Sequence, residues 1–503
     1  MASYVRKVPT ASGAVAVQIV HKQGRAAIRV DHIGSAHDDA ELAVLMEVAR
    51  QRLHAGQGVL DLLPAGGTPP VSSAARVTAT RAALLWGVLE DAWRLLGFDA
   101  LRDDTFKALA LARIVEPTSK ADTIRVLCEI GVPSPSLRTI FRTLARSIER
   151  DYRDTLAKAC LARAASVAGG RLSLVLYDVT TLYFETETED ALRRVGMSKE
   201  RRVDPQIQIG LLVDPAGFPL EVHCFEGNKA ETRTLIPVLR SFQARHGVAD
   251  MVVVADAGML SAGNLGAIED AGFGFIVGSR ISKAPYDLAE HFETKGDYFA
   301  DGEILESTRI MGTGAAARSR RVVYQYSFKR AKRDNRALNA MIERAEAVAA
   351  GRRPIKKDRF VKVTDAHKDV DWALVERARQ LAGLKGYVTN LPIHTMAGRT
   401  VIGVYHDLWQ VEKSFRMAKS DLRARPIFHH QRNSIEAHLT VVFAALAVSR
   451  HLQDATGVSI RKLVRTLRPL QTVTIDIDGH PLTADPTLTP DAIGLLNHLN
   501  RGD

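Results

Sequence analysis

Three acidic residues, far apart in the sequence, stand where a metal site for phosphodiester chemistry would need them. Asp178 ends an apolar run that is typical of a strand, LSLVLYD, and Asp256 ends a second one, MVVVAD. Glu412 lies in a stretch with helical spacing, YHDLWQVEKSFRMAK. Two strand-end aspartates and a helix-borne glutamate can converge on one pair of divalent ions. We therefore expect all three to be catalytic residues and metal ligands.

The chemistry fits these residue types. Cutting a phosphodiester bond needs an in-line nucleophile, a stabilised leaving oxygen and neutralised phosphate charge, and two divalent ions meet all three needs. Because Mg²⁺ prefers oxygen ligands, the expected cofactor is two Mg²⁺ ions, with Mn²⁺ as a substitute. In this scheme Asp178 bridges the ions, Asp256 binds one and Glu412 the other. Taken singly, such residues are more typical of turns, caps and solvated faces, so the hypothesis depends on their joint placement.

The stretch around Glu412 is the most specific of the three. Tyr405, Glu412 and Lys419 are spaced by seven residues, so on one continuous helix they would share a face over about 21 Å. Trp409 and Arg416 lie close to the same face. A carboxylate between a phenol and a cation suits a metal ligand beside a phosphate backbone. The alternative is an amphipathic core helix with incidental polar residues.

The region from about residue 170 predicts an α/β fold. Three consecutive strand candidates, LSLVLYDVT, IQIGLLVD and FPLEVHCF, are followed by a helix, the strand MVVVAD, a second helix and the strand FGFIVGS. The order β-β-β-α-β-α-β is an antiparallel meander followed by strands separated by helices. Asp178 then belongs to the first of these strands and Asp256 to the fourth.

Changes of pattern along the 503 residues divide the chain into five segments. The N-terminal region is mostly helical, with one β-hairpin that turns at Gln23-Gly24, and is expected to bind DNA. The segments are an accessory region (1–165), a first core part (166–284), a basic insertion (285–385), a second core part (386–450) and a tail (451–503).

A helix pair in the N-terminal region carries a basic ridge. The segment SKADTIRVLCEIGVPSPSLRTIFRTLARSIER predicts a second helix with Ser134 as its N-cap and Pro135 at its first position. Arg138 and Arg142 begin a row at i,i+4 spacing on that helix. The predicted buried face consists of Leu137, Phe141, Leu144 and Ile148. Two interpretations stay open: a helix-turn-helix that enters a DNA groove, or a helix pair with a solvated basic face.

The net charge of +11 is concentrated in one segment, which suits a polyanionic partner. Between Arg318 and Lys362 there are 15 basic and four acidic residues, so the rest of the chain is neutral. Surface charge without a partner is the alternative. We expect phosphate contacts that are independent of DNA sequence from eight residues of this segment: Arg320, Arg321, Lys329, Arg330, Lys332, Arg333, Lys356 and Lys357.

Other features indicate a cytoplasmic protein that does not enter a membrane. The three cysteines are far apart and form no CxxC pair, as in reduced intracellular proteins. The N-terminal sequence MASYVRKVPT has no apolar core of a signal peptide. The longest apolar stretch, Leu439 to Val448, has about half the roughly 20 residues that a membrane span needs.

These motifs resemble the DDE transposases of bacterial insertion sequences, in the subgroup with a Tyr-x2-Arg-x3-Glu-x6-Lys signature. The signature stands here as Tyr405, Leu408, Glu412 and Lys419, which matches at three of four positions. The contexts DVTTLYFE, VADAGM and VEKSFRMAKSDLRARPIFHH are also similar to that family. The resemblance covers about residues 100–450 and implies an RNase H-like core, a mixed sheet flanked by helices, interrupted by a β-containing insertion.

The departure from the signature is Leu408, which replaces an arginine expected to contact a phosphate. Arg416, one helical turn past Glu412, is a candidate to take over that contact. The resemblance implies that Tyr405 and Lys419 grip the terminal phosphate of the element end. Trp409 would stack on an unpaired base, although a core position for this tryptophan is the alternative.

The expected function is a transposase that cuts at insertion-sequence ends and transfers the 3′-hydroxyl end to target DNA. Its partners would be double-stranded DNA, both transposon ends and target, and a second copy of the chain in a homodimer. One alternative is an RNase H-like nuclease that only hydrolyses DNA. Another is a transposase-derived DNA-binding protein without catalytic activity.

Overall fold

The computed structural model describes residues 2–10, 13–23, 26–53, 75–169, 173–196, 203–230, 233–248, 251–257, 261–314, 317–354, 358–363, 367–477 and 480–499. Its strands are β1 (Ala2–Pro9), β2 (Val15–Gln23), β3 (Ala26–Ala36), β4 (Arg76–Arg81), β5 (Leu174–Tyr183), β6 (Gln206–Val213), β7 (Pro219–Glu226), β8 (Val252–Ala255), β9 (Gly274–Ser279), β10 (Ile304–Met311), β11 (Arg318–Tyr326), β12 (Val361–Val363), β13 (Lys368–Val370), β14 (Leu384–Thr389), β15 (Thr472–Ile477) and β16 (His480–Ala484).

The α-helices are α1 (Asp39–Leu53), α2 (Ala83–Leu95), α3 (Asp104–Val115), α4 (Thr123–Glu129), α5 (Leu137–Glu149), α6 (Tyr152–Val167), α7 (Leu235–His246), α8 (Ala262–Asp270), α9 (Ala284–Asp287), α10 (Ala289–Lys295), α11 (Phe328–Ala349), α12 (Trp372–Gln380), α13 (Gly398–His406), α14 (Trp409–Arg416), α15 (Arg432–Thr456), α16 (Ile460–Leu467) and α17 (Pro490–Leu499). A π-helix, Met417–Asp421, follows α14 directly.

The chain forms two compact units. The first contains residues Met1–Glu90, Ser119–Leu137 and Arg461–Asp503, and the second contains Asp91–Thr118 and Arg138–Ile460. In the first unit, α1 packs on an antiparallel β1-β2-β3 sheet through a small core around Val17 and Ile19. The pairing of β2 with β3 confirms the predicted hairpin, although its turn at Gly24 lies outside the described residues.

A second sheet of the first unit joins distant parts of the sequence. The strands pair in the order β16-β15-β4, so residues 472–484 of the predicted tail pair with Arg76–Arg81. All six residues of β4 are exposed. This long-range pairing has no local signal in the sequence, because the two partner strands are short and lie nearly 400 residues apart.

The second unit is built on an eight-stranded mixed sheet with the order β10-β11-β14-β9-β8-β5-β6-β7. The strands β5, β8 and β9 are parallel, and the other neighbours are antiparallel. Helices pack against this sheet, which confirms the predicted mixed α/β fold. The order β5-β6-β7-α7-β8-α8-β9 also confirms the predicted sequence of elements.

The segment predicted as an insertion contributes to the same sheet. Its strands β10 and β11 extend the sheet beyond β14. The remaining elements, α11, α12 and the β12-β13 hairpin, surround a separate small core that includes Leu338, Phe360 and Val375. The basic segment is therefore divided between β11, the second strand from one edge of the sheet, and the surface of this small core.

The long helix α15 forms much of the interior of the second unit. It is long and apolar enough to cross a membrane by length and composition, but 89% of its apolar window is buried inside the fold. Such burial is typical of a core helix. Helix α3 adds to this core, and Arg113 on α3 donates hydrogen bonds to the carbonyl oxygens of Leu422 (2.8 Å) and Arg423 (2.7 Å). Burial lowers the pKa of Arg113 to about 10.

Helix α5 differs from its predicted form. It begins at Leu137, so Ser134 and Pro135 precede it and neither starts the helix. Its buried residues are Ile140, Thr143, Leu144 and Ser147, whereas the predicted core residues Leu137 and Phe141 are 39% and 53% exposed. Compared with the predicted face, the buried face of α5 is rotated, because the small polar residues Thr143 and Ser147 point inward.

Candidate active site

Asp178 lies in the middle of β5, so the prediction that it ends a strand is wrong. Five more residues of β5 follow it, and its antiparallel partner on β6 is Leu211. The strand continues because Val179, Thr180 and Thr181 are β-branched and suit an extended backbone. Asp178 therefore lies inside the sheet, with a defined register to β6, and two residues beyond the last pair of β5 with β8.

Asp256 directly follows β8, as predicted, and the sheet brings it beside Asp178. The parallel ladder between β5 and β8 pairs Leu176 with Val254. Continuing this register by two residues places Asp178 and Asp256 on neighbouring strands at the same level and on the same face. Neighbouring strands are about 4.8 Å apart. Two aspartates from sequence positions 78 residues apart thus come together.

Tyr405 fixes one oxygen of Asp256. The phenol oxygen of Tyr405 donates a hydrogen bond to Asp256 Oδ1 at 3.1 Å, and the backbone N–H of Ala257 donates to the same oxygen at 2.6 Å. Burial raises the pKa of Tyr405, and the negative charge of Asp256 raises it further. Tyr405 therefore stays protonated at neutral pH and acts as the donor of this bond.

Gly278 on β9 makes room for this contact. A Cβ atom at residue 278 would lie 2.7 Å from the phenol oxygen of Tyr405 and 2.9 Å from the Cβ of Ala257. Gly278 pairs with Tyr387 on β14, and the β8-β9 register, extended by one residue, sets it opposite Asp256. A side chain at this position would push Tyr405 away from the carboxylate.

The stretch from Tyr405 to Lys419 is not one continuous helix, so the predicted single face is wrong. Helix α13 ends at His406, residues 407 and 408 form a turn, α14 begins at Trp409, and a π-helix follows Arg416. Hydrogen bonds from the N–H of Leu408 to Tyr405 and from the N–H of Gln410 to Asp407 tighten this turn. The seven-residue spacing therefore does not align these side chains.

The helix α14 carries Glu412 and packs against β5 and β6. Glu412 lies in the first turn of α14 and is exposed. The buried hydroxyl of Ser414, two residues later, donates a hydrogen bond to the carbonyl oxygen of Gly217 in the β6-β7 turn at 2.7 Å. The hydrogen bond of Ser414 thus helps to hold α14, and with it Glu412, against the sheet.

Lys419 reaches the strand that carries Asp178. Its Nζ donates a hydrogen bond to Thr180 Oγ1 at 2.5 Å, and Thr180 lies two residues from Asp178 on the same face of β5. Trp409 is 51% exposed and lies under Lys413, with Nζ 5.4 Å from its ring centre, so the core alternative for this tryptophan is wrong. Arg416 is exposed at the end of α14.

Two residues of the basic segment were assigned wrongly. Arg320 on β11 is fully buried and forms a paired contact with Glu269, at 2.9 and 2.8 Å. Arg321 is 12% exposed, pairs with both oxygens of Glu306 and donates to the carbonyl oxygen of Met396. Their guanidinium groups are occupied within the protein, so these arginines do not contact DNA phosphates.

The other predicted basic residues lie elsewhere. Lys329, Lys332 and Arg333 are exposed on the first turns of α11, and Arg330 is half-buried there. Lys356 and Lys357 lie outside the described residues. On α5, Arg138 and Arg142 are exposed, whereas Arg146 of the same row pairs with Asp103. The accessible positive charge of this set is thus carried mainly by α11 and α5.

Three residues beside Tyr405 were not identified from the sequence. Lys385 on β14 has its Nζ 4.6 Å from the ring centre of Tyr405. The phenol of Tyr387 lies 3.1 Å from His406 Nε2, in hydrogen-bond contact. Burial raises the pKa of Tyr387 to about 12 and lowers the pKa of His406. The alternation of Lys385 and Tyr387 across Gly386 was a signal that both side chains share one face of the strand.

The donor chemistry of the site suits a hard divalent cation. Asp178 and Asp256 offer carboxylate oxygens from matching positions of two parallel strands, and Glu412 offers a third from the adjacent helix. Among the residues that the structure describes, no three His, Cys, Asp or Glu side chains lie close enough together to hold a metal ion. The support for a metal site at this place is therefore the type of donor atom and the register of the strands.

Comparisons with known proteins assign the region that contains this site. None of the curated proteins matches the chain in sequence. Among solved structures, similarity is found to a piggyBac transposase synaptic complex with hairpin DNA (10% identity, TM-score 0.36, 77% of this chain and 69% of the other). It is also found to a Mos1 transposase paired-end complex with the left transposon end (11% identity, TM-score 0.16, 46% and 66%). These two likenesses are too weak to carry an argument.

The sequence match to a protein family is decisive. Residues 169–448 match the transposase DDE domain, and this range includes β5, β8 and α14 with Asp178, Asp256 and Glu412. The matched range is more than half of the 503 residues. The chain belongs to the family of DDE-domain transposases.

Proposed function

We propose that this transposase cuts DNA at the ends of a mobile element with the help of divalent ions and transfers the freed 3′-hydroxyl to target DNA. One observation carries the proposal: the parallel pairing of Leu176 with Val254, continued by two residues, aligns Asp178 on β5 with Asp256 directly after β8, within the region that matches the transposase DDE domain. Asp178, Asp256 and Glu412 would hold two Mg²⁺ ions, for which Mn²⁺ can substitute.

The residues around Asp256 support its role as a ligand. Hydrogen bonds from Tyr405 and from the N–H of Ala257 both end on Oδ1 and restrain the carboxylate, and Oδ2 would be the oxygen that binds a cation. When bound, divalent ions would activate the attacking oxygen and neutralise charge on the phosphate. Glu412 would complete the ligand set when α14 moves toward the two aspartates with DNA bound.

Other residues would hold the DNA. Lys419, beside Thr180, is placed to contact a phosphate near Asp178, and the exposed ring of Trp409 is available to stack on an unpaired base. Arg416 would supply the phosphate contact that Leu408 cannot make. Lys329, Arg330, Lys332 and Arg333 on α11, with Arg138 and Arg142 on α5, would add contacts that are independent of sequence. We also propose a homodimer that holds two element ends, acting in the cytoplasm.

Excision from a plasmid tests the proposal. The DNA that flanks the gene is placed around a marker, and marker loss is measured with wild-type protein, with Glu412→Gln and with the control Glu290→Gln. Glu290 is an exposed helical glutamate of the same unit, away from the candidate site. We expect wild type and the control to excise and Glu412→Gln to lose at least about a thousandfold, because removing a metal-ligand carboxylate removes several kcal/mol of transition-state stabilisation.

The outcomes separate the alternatives. Equal excision by wild type and Glu412→Gln would show that Glu412 is not a catalytic residue. Nicked plasmid without rejoining would support a nuclease that only hydrolyses DNA. Binding of the flanking DNA by wild type without any cutting would indicate a catalytically silent DNA-binding protein.

A further inference from the structure

Near Asp256 lies a lysine, Lys385, on which the carboxylate of Asp256 acts without forming an ion pair. Lys385 is half-buried on β14, with its Nζ 4.6 Å from the ring centre of Tyr405 and 5.5 Å from that of Tyr387. Aromatic faces attract a cation but carry no net charge, so they leave the ammonium charge in place. Within the described part of the chain, Lys385 has no ion pair with an Asp or Glu side chain.

A second cation, Arg330, acts electrostatically on Lys385. The positive charge of Arg330, on the first turn of α11, acts on three neighbours: Lys385, Tyr387 and His406. Burial lowers the pKa of Lys385 and the charge of Arg330 lowers it further, whereas the negative charge of Asp256 raises it and the positive charge of Arg333 again lowers it. In the described residues Arg330 also forms no ion pair with a carboxylate. Two like charges in a partly buried place repel each other, and a bound anion would offset that repulsion.

The location connects these cations to the candidate site. Tyr387 pairs with Gly278, the β8-β9 register sets Gly278 opposite Asp256, and Tyr405 bridges from Asp256 to the side of Lys385. An anion held by Lys385 and Arg330 would therefore lie beside the carboxylate that is proposed to bind metal. A DNA backbone supplies such an anion at every nucleotide.

We propose that Lys385 and Arg330 form a binding site for one backbone phosphate of DNA, adjacent to the phosphodiester bond that is cut. The proposal rests on the proposed function, since it assigns the same DNA to the same face of the sheet. The rings of Tyr387 and Tyr405 contact Lys385 without neutralising it. Asp256 offsets part of the positive charge of Lys385, Arg330 and Arg333, and the phosphate would offset the rest. Lys385 is thus a binding residue for DNA and not a metal ligand.

The chain contains a matched control. Lys229 also lies over an aromatic ring, with its Nζ 5.0 Å from the ring centre of Phe225. Unlike Lys385, it pairs with a carboxylate, that of Glu226, at 3.3 Å. Both lysines contact an aromatic ring, but only Lys229 forms an ion pair with a carboxylate. Comparing Lys385→Met with Lys229→Met therefore tests the effect of removing a lysine that has no ion pair.

The test is the salt dependence of DNA binding by the full chain. Affinity for a labelled duplex that carries the flanking DNA is measured between 50 and 400 mM NaCl in EDTA, so that no cutting occurs. Each lost phosphate contact reduces the slope of log affinity against log salt by about 0.9. We expect this change for Lys385→Met and Arg330→Gln, and wild-type slopes for Lys385→Arg and Lys229→Met. Between 50 and 200 mM, one contact corresponds to about a 3.5-fold smaller loss of affinity.

An unchanged slope for Lys385→Met, in protein that melts like wild type, would overturn the proposal. If Lys385→Met does not fold, the slope measured for Arg330→Gln is used instead, and an unchanged slope would again overturn the proposal. Inorganic phosphate at constant ionic strength tests the other source of the anion. If phosphate raises the melting temperature of the protein while both variants keep the wild-type slope for DNA, the DNA assignment is contradicted. Failure here leaves excision and its dependence on Glu412 intact, so it is distinguishable from failure of the proposed function.

Discussion

The arginines of β11 and the cations around Lys385 come from neighbouring parts of the chain and have opposite surroundings. Arg320 and Arg321 are paired with Glu269 and Glu306, and Arg320 is fully buried. Lys385 contacts the rings of Tyr387 and Tyr405, and the charges of Arg330 and Asp256 act on it without an ion pair. The first pair forms ion pairs within the protein, whereas we propose that the second binds an anion. Charge in a sequence therefore indicates binding only where the structure supplies no internal partner.

Arg320→Met should have the largest effect on stability. It removes one partner of a buried ion pair, which typically costs about 3–5 kcal/mol of unfolding free energy. We expect the low end, about 3 kcal/mol, because Glu269 keeps its contact with Arg318 at 2.9 Å. Denaturant unfolding measures the change, with the exposed Lys332→Gln as a control within about 0.5 kcal/mol of wild type.

DNA binding by Arg320→Met tests whether the buried arginine of β11 differs from Lys385 in its contact with DNA. In conditions where Arg320→Met is folded, the salt dependence of its DNA affinity should equal that of wild type, because the guanidinium never meets solvent. A reduced slope would contradict the assignment of Arg320 to the interior of the protein.

Gly278→Ala should have the next largest effect on stability, since it displaces Tyr405, whose ring contacts Lys385. The added methyl group would meet Tyr405 at 2.7 Å and Ala257 at 2.9 Å. Overpacking of this kind costs about 1–3 kcal/mol, and we expect about 2 kcal/mol with a loss of cutting as Tyr405 leaves Asp256. Thermal and denaturant unfolding provide the measurement.

Gly263→Ala is the matched control for this change. Gly263 lies within α8, and a Cβ atom there meets nothing within 4 Å. Alanine in an open helical position should stabilise the protein by up to about 1 kcal/mol. If both glycine variants behave alike, the close approach of Tyr405 to Gly278 does not limit the site.

The double variant Lys329→Gln, Lys332→Gln should have the smallest effect. Both lysines are exposed on α11, so stability should change by less than about 0.5 kcal/mol. The slope of log affinity against log salt should fall by about 1.8, which is about 12-fold in affinity between 50 and 200 mM. A wild-type slope would show that this face of α11 does not contact DNA.

The fold was predictable where the pattern was local. The strands around Asp178 and Asp256 are apolar and bounded by turn residues, so their order could be read directly. Register could not, because the adjacency of Asp178 and Asp256 depends on the pairing of Leu176 with Val254. The pairing of β4 with β15 also joins segments nearly 400 residues apart, and each is too short to indicate its partner.

The candidate site was predictable in its residue types and less so in its geometry. Spacing by seven suggested one helix face, but the turn at Asp407 and Leu408 and the π-helix after Arg416 break it. Arg320 shares a face of β11 with Val322 and Tyr324, a period of two that indicated burial. Lys385 had no comparable signal, since its importance arises only when β14 lies beside β9 and under Tyr405.

Cutting of the flanking DNA by purified protein in Mg²⁺ tests the central claim most directly, that Asp178, Asp256 and Glu412 act as one site. Wild type should cut, whereas Asp178→Asn, Asp256→Asn and Glu412→Gln should each cut at least about a thousandfold more slowly while binding DNA with wild-type affinity. Cutting at the wild-type rate by any one of the three variants would contradict the account.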